Sequence, residues 1–198
     1  MKKSGKARAH TNIALIKYWG KADENLIIPM NNSLSVTLER FYTETRVTFD
    51  DSLTEDQLIL NKEAVNAKES AKIQRYMDMI RKEADISTYA LIESDNFVPT
   101  AAGLASSASA YAALAGACNE ALDLNLSDKD LSRLARRGSG SASRSIYGGF
   151  AEWEKGYDDK TSYAHQIESD GFENDLAMIF VVINNKLKKV SSRSGMSL

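Results

Sequence analysis

The residues of this chain best placed to do chemistry are small ones, followed by hydroxyls. Val98-Pro-Thr-Ala-Ala-Gly-Leu-Ala-Ser-Ser107 runs straight into Ala108-Ser-Ala-Tyr-Ala-Ala-Leu-Ala-Gly-Ala117. Pro99 and Gly103 mark a turn, and the run from about Ala105 to Ala121 is a strong helix former. The backbone at Ala101, Ala102, Gly103, Leu104 and Ala105 is barely covered by side chains. A small-residue loop entering a helix offers free N–H groups at the positive end of the helix dipole, which suits phosphate. Ser106 and Ser107 add hydroxyls for phosphate oxygens or for a phosphate-bound Mg²⁺. No Gly-Lys-Ser/Thr follows the glycine, so this is not a Walker A loop. Gly-x-Gly-x-x-Gly is absent too. Taken alone, the loop reads equally well as an ordinary serine-capped helix start.

Three other segments change that balance. Asn12-Ile-Ala-Leu-Ile-Lys-Tyr-Trp-Gly-Lys21 sets Asn12, Lys17, Tyr18 and Lys21 around an apolar strand end, a set that suits a phosphorylated ligand. Arg136-Arg-Gly-Ser-Gly-Ser-Ala-Ser-Arg-Ser145 offers an anion nest of amides and hydroxyls, and Arg144 adds a planar fork for a carboxylate. Lys186-Leu-Lys-Lys-Val-Ser-Ser-Arg193 contains Lys188, Ser192 and Arg193, while Lys186 and Lys189 read as a solvated basic turn. The chain as a whole carries a net charge of −2, so this positive character is local and ligand-directed. Four such segments imply a polyphosphate nucleotide plus a second anionic substrate.

The elements that must position these residues are those of one mixed domain. The 198 residues are 43% hydrophobic and 26% charged, ordinary globular usage. The slightly acidic balance argues against general nucleic-acid binding. The single cysteine, Cys118, allows no internal disulfide, fits a reducing compartment, and reads as an inert buried thiol. Arg8, His10, Asn12 and Lys17 interrupt any signal sequence after Met1-Lys-Lys. No stretch reaches the roughly 18 apolar residues of a membrane span, so a cytoplasmic protein without a membrane partner is expected. His10 and His165 lie far apart and suggest no zinc site; His10 is expected to cap or pack near a strand end.

Strands are expected over Lys6–Ile16, Leu34–Leu38, Thr43–Phe49, Gln57–Leu60 and Tyr89–Glu93. Ile73, Tyr76, Met77 and Ile80 make Ala71–Ala84 an amphipathic helix. Ser127 caps another helix, with Asp130 at the capping-box position, that ends near Gly138. Gly148–Trp153 and Ser162–Gln166 should pair across Gly156–Lys160. Leu176–Ile183 is continuously apolar and predicts a strand buried on both faces. The fold class is α+β.

Taken together, Asn12 to Lys21, Pro99-Thr-Ala-Ala-Gly-Leu-Ala-Ser-Ser-Ala108 and Gly138-Ser-Gly-Ser-Ala-Ser-Arg-Ser145 resemble the mevalonate diphosphate decarboxylases, a branch of the GHMP small-molecule kinase superfamily. The superfamily hallmark, Pro-x-x-x-Gly-Leu-x-Ser-Ser-Ala, is matched at Pro99–Ala108. The resemblance extends from about Lys6 to Met196 and implies a two-layer α/β sandwich, the ribosomal-protein-like N-terminal lobe of that superfamily. It implies use of ATP and Mg²⁺ to phosphorylate the 3-hydroxyl of mevalonate 5-diphosphate, with loss of phosphate and CO₂ giving isopentenyl diphosphate.

By the same resemblance, Arg144 grips the carboxylate, with Asn12 fixing the substrate or the arginine. Tyr18, Lys21, Ser139, Gly140, Ser141, Ser192 and Arg193 take the substrate diphosphate. Ala101 to Ser107 cradle the ATP phosphates, with Ser106 or Ser107 near Mg²⁺ and Ser94 and Asn96 near the nucleotide. Lys188 would stand near the transferring phosphoryl. Family members are longer, form homodimers, and carry an aspartate beside the 3-hydroxyl in a second lobe. Residues 1–185 are therefore expected to be the N-terminal lobe and residues 186–198 the start of the connection onward. A kinase that only phosphorylates, and a binding lobe without activity of its own, are the rival readings.

Overall fold

The computed structural model describes residues 2–98 and 106–180. Its spine is a pair of long antiparallel strands, β1 (Lys2–Ile16) and β4 (Ser33–Asp50), paired from Lys2 opposite Asp50 to Ile16 opposite Leu34 with register shifts after His10 and after Ala14. Between them in sequence, β2 (Lys21–Asp23) and β3 (Ile28–Pro29) make a separate two-stranded ribbon. The two strands expected at 34–38 and 43–49 are one. Exposed Glu39 and Arg40 break the alternation in sequence because the ladder itself is interrupted there: pairing jumps from His10 opposite Tyr42 to Asn12 opposite Thr37. A bulge and a turn look alike in sequence, since both suspend the period of two.

β5 (Gln57–Leu60), β6 (Glu63–Ala64), β7 (Ala90–Asn96), β8 (Phe150–Trp153) and β9 (Ala164–Ile167) complete the sheet, in the order β6-β5-β7-β4-β8-β9 with β1 also on β4. β7 pairs with the C-terminal half of β4, and β8 with its N-terminal end. The β8–β9 hairpin forms as expected.

Three α-helices, α1 (Ala67–Glu83), α2 (Ser106–Ala121) and α3 (Asp128–Gly138), make the second layer, and a 3-10 helix (Gly140–Ile146) follows α3. One core joins Val47, Phe49 and Ile92 of the sheet to Met77 and Ile80 of α1 and to the buried alanines of α2. Those alanines bring α2 down onto β1. A Cβ on Gly5 would lie 2.4 Å from the Ala117 carbonyl oxygen, so only glycine allows this approach. Ser127 caps α3 as expected, its hydroxyl accepting from the Asp130 amide. This is the two-layer α+β lobe that the sequence implied.

The apolar run from Leu176 departs from expectation. Residues 176–180 form no strand, and Leu176, Met178 and Ile179 are exposed, Ile179 at 85%. A strand buried on both faces needs cover on both; residues 176–179 are exposed, and Phe180 alone turns inward, its ring 5.9 Å from that of Phe41. The rest of that run, and the expected boundary at 185–186, lie outside the described residues.

Candidate active site

The site gathers where the end of β1, the start of β4, the first turn of α2 and the 3-10 helix meet. Arg144 is its centre. The 3-10 helix turns its side chain inward, and the residue is only 2% exposed. Its Nε donates to Ser35 Oγ at 2.9 Å, its Nη1 to Ser33 Oγ, and its Nη2 to Asn12 Oδ1 at 3.4 Å. Ser33 and Ser35 alternate on β4, so both face the same way. Among the described residues no carboxylate pairs with Arg144. Burial pulls the guanidinium down to about 10, only partly offset by the Tyr18 phenol.

Asn12 is fixed in turn: its Nδ2 donates to the Ser141 carbonyl at 3.0 Å and to Ser145 Oγ at 2.8 Å. Trp153 closes the other side. Its fully buried indole meets the Tyr18 ring edge-on at 4.8 Å, lies 5.9 Å from the Arg144 guanidinium, and is pinned by Nε1 donating to Ser162 Oγ at 3.0 Å. Gly140 backs onto both rings. A Cβ there would lie 2.6 Å from Trp153 and 3.2 Å from the Tyr18 hydroxyl.

The serines form a second line of polar groups. Ser107 Oγ stands 3.3 Å from Ser139 Oγ, which stands 3.4 Å from Ser141 Oγ. Ser106 and Ser107 are exposed in the first turn of α2, which holds no acidic residue. Ser94 and Asn96 sit on β7 behind this turn. Ser94 Oγ shares a hydrogen bond with Thr45, and Asn96 Oδ1 accepts from Thr43, whose hydroxyl also meets Ser109 at 2.8 Å.

Beside the site lies a cleft of about 390 Å³ lined by Lys21, Lys72, Arg75, Tyr111, Arg137 and Gly138, with Glu24 pairing to Lys21 at 2.6 Å. The structure thus brings together Asn12, Tyr18, Ser107, Ser139, Gly140, Ser141 and Arg144, with Lys21 lining the adjoining cleft. Ala101, Ala102, Gly103, Leu104, Ala105, Lys188, Ser192 and Arg193 lie outside the described residues.

Sequence reasoning missed Ser33, Ser35 and Trp153. The first two left one legible sign, hydroxyls on alternate positions of a strand that is otherwise apolar there.

The two-layer α+β fold is that of the N-terminal lobe of GHMP-type proteins. More narrowly, the chain belongs to the diphosphomevalonate decarboxylase-like N-terminal domain family, whose model matches residues 9–164. The diphosphomevalonate decarboxylase of Ganoderma lucidum is 41% identical over 206 residues, covering 96% of this chain and 52% of that protein. A crystal structure of mevalonate diphosphate decarboxylase from Staphylococcus aureus matches with a TM-score of 0.96 at 77% identity, over 100% of this chain and 60% of that one. A structure of MDDEF in complex with MVAPP, AMPPCP and magnesium matches with a TM-score of 0.94 at 63% identity, over 99% of this chain and 60% of that one. The chain spans about half the length of the curated relatives it matches.

Proposed function

We propose that this chain is the nucleotide- and substrate-binding lobe for the ATP-dependent decarboxylation of mevalonate 5-diphosphate to isopentenyl diphosphate. The observation that carries the proposal is Arg144, a buried guanidinium with three neutral partners and no acid among the described residues. A buried charge without a counter-charge is costly, and a ligand carboxylate relieves that cost.

In this reading Arg144 holds the substrate carboxylate still, and Asn12 fixes the fork that holds it. Ser139, Gly140, Ser141, Tyr18 and Lys21, joined by Ser192 and Arg193, take the diphosphate. The exposed Ser106 and Ser107, with no acid in their helical turn to repel phosphate, fit the ATP phosphates and their Mg²⁺ together with Ala101 to Ala105. Ser94 and Asn96 brace the strand end near the nucleotide, and Lys188 stands toward the transferring phosphoryl. ATP with Mg²⁺ supplies the phosphoryl group that turns the tertiary 3-hydroxyl into a leaving group. The protein's part is to hold carboxylate and diphosphate in one geometry, so that the C3–O bond to the leaving phosphate and the C1–C2 bond to the leaving CO₂ break in a fixed alignment, the electron pair of the second forming the new C2–C3 double bond. Homodimerisation of the whole protein belongs to the same proposal and is read by analytical ultracentrifugation.

The half-length match favours a second reading, in which the lobe binds both ligands but leaves catalysis to residues elsewhere. Titration of MgATP and mevalonate 5-diphosphate, beside release of CO₂ from C1-labelled substrate, separates the cases. CO₂ release establishes the decarboxylase. Phosphorylation of the 3-hydroxyl without CO₂ establishes a kinase. Binding without turnover establishes the binding lobe, and binding of neither ligand overturns the proposal.

A further inference from the structure

Resting on the reading of Arg144 as the carboxylate clamp, we infer that Ser33 and Ser35 are specificity-determining positioning residues: they hold Arg144 in an uncharged cradle that keeps its charge unspent for the ligand's carboxylate.

Arginine has five N–H donors in a rigid plane. Ser35 takes the Nε proton, Ser33 one on Nη1 and Asn12 one on Nη2. One donor on each terminal nitrogen is then left without an acceptor among the described residues. A carboxylate fills such a fork with two parallel hydrogen bonds. The cradle itself is fully enclosed, with Ser35 at 0% and Ser33 at 1% exposure, so no water competes for the arginine from that side. Trp153 adds an aromatic ring near the guanidinium rather than an acid.

The chain elsewhere handles buried arginines differently. Arg81 takes Asp56 through two 2.9 Å hydrogen bonds, and Arg136 takes Asp159. Those arginines are neutralised from within and serve the fold. At Arg144 the same chemistry is left incomplete, and the incompleteness lies at the site. An aspartate at position 33 or 35 would quench the clamp before any ligand arrived.

The test compares two ligands on the whole protein by calorimetry: mevalonate 5-diphosphate, which has the carboxylate, and isopentenyl diphosphate, which lacks it. In Ser33→Ala/Ser35→Ala the first ligand should weaken about tenfold, the scale of a charge-assisted hydrogen bond, and the second should stay within about twofold. Ser35→Asp should weaken the first ligand at least as much. Ser35→Thr, which restores a hydroxyl, should recover it. Should the double variant fail to fold, the Ser35→Ala and Ser35→Thr pair decides alone.

Arg144→Lys is the control for the underlying reading. If it does not separate the two ligands, the clamp itself is wrong and the inference falls with it. If it separates them but the serine variants weaken both equally, or neither, the clamp stands and the cradle is overturned.

Discussion

The hydroxyl of Ser107 stands 3.3 Å from that of Ser139, so the first turn of α2 and the start of the 3-10 helix meet across 32 residues of chain. One segment is the expected nucleotide loop, the other the expected diphosphate nest. Contact between them predicts that each ligand changes the affinity for the other by the same factor. In Ser107→Ala that factor should shrink by about threefold to tenfold, the worth of one neutral hydrogen bond. Titrating mevalonate 5-diphosphate with and without a non-hydrolysable ATP analogue measures it. An unchanged ratio would mean the two hydroxyls are neighbours without coupling.

Arg144→Lys keeps a positive charge and loses the fork. Turnover of the whole protein should fall by about tenfold to a hundredfold, because a charge-assisted hydrogen bond is worth roughly 1.5–3 kcal/mol. MgATP affinity should barely move. Steady-state kinetics beside nucleotide titration check this, and near-normal turnover would remove the carboxylate role.

Gly140→Ala tests the packing behind the site. The added methyl would stand 2.6 Å from a ring carbon of Trp153, which is fully buried and held at its indole N–H. Overpacking of this kind costs about 1–3 kcal/mol. Thermal unfolding should show that loss, and substrate diphosphate binding should weaken along with it as Tyr18 is displaced. A stable variant with normal binding would show that the Tyr18–Trp153 pair yields easily.

Asp159 joins α3 to the β8–β9 hairpin by pairing with Arg133 at 2.6 Å, with Arg136, and with Arg137 at 3.4 Å. Partial burial would raise its carboxyl, but the hydrogen bond from Arg133 and the charges of Arg136, Arg133 and Arg137 outweigh that and hold it low. A folded value below the unfolded one stabilises the fold above about pH 4 and loses that contribution as pH falls through the folded value. Asp159→Asn should therefore cost about 1–3 kcal/mol at neutral pH, between exposed and buried ion pairs. The gap in melting temperature between parent and variant should close toward pH 3. A gap independent of pH would point to lost packing instead of lost charge.

The elements legible in the sequence are those whose signal is local. The alternation of β1, the period of α1 and the serine cap of α3 each arise within a few residues, and each lies where it was expected. The Gly-Ser tract before Arg144 folds as a 3-10 helix that turns Arg144 inward, a local consequence of small residues, while the tract before α2 lies outside the described residues. Two readings failed for one reason: the 39–42 break in β4 and the 176–180 run depend on what lies opposite, in a ladder register or a covering face. The site shows the same division. That Arg144 could grip a carboxylate follows from its chemistry and its neighbours in the chain. That it is buried, held by Ser33 and Ser35 from more than a hundred residues away, and left among the described residues without an acid could be decided only by the fold. Charge compensation is a property of space, and a chain records along its length only which groups are available to provide it.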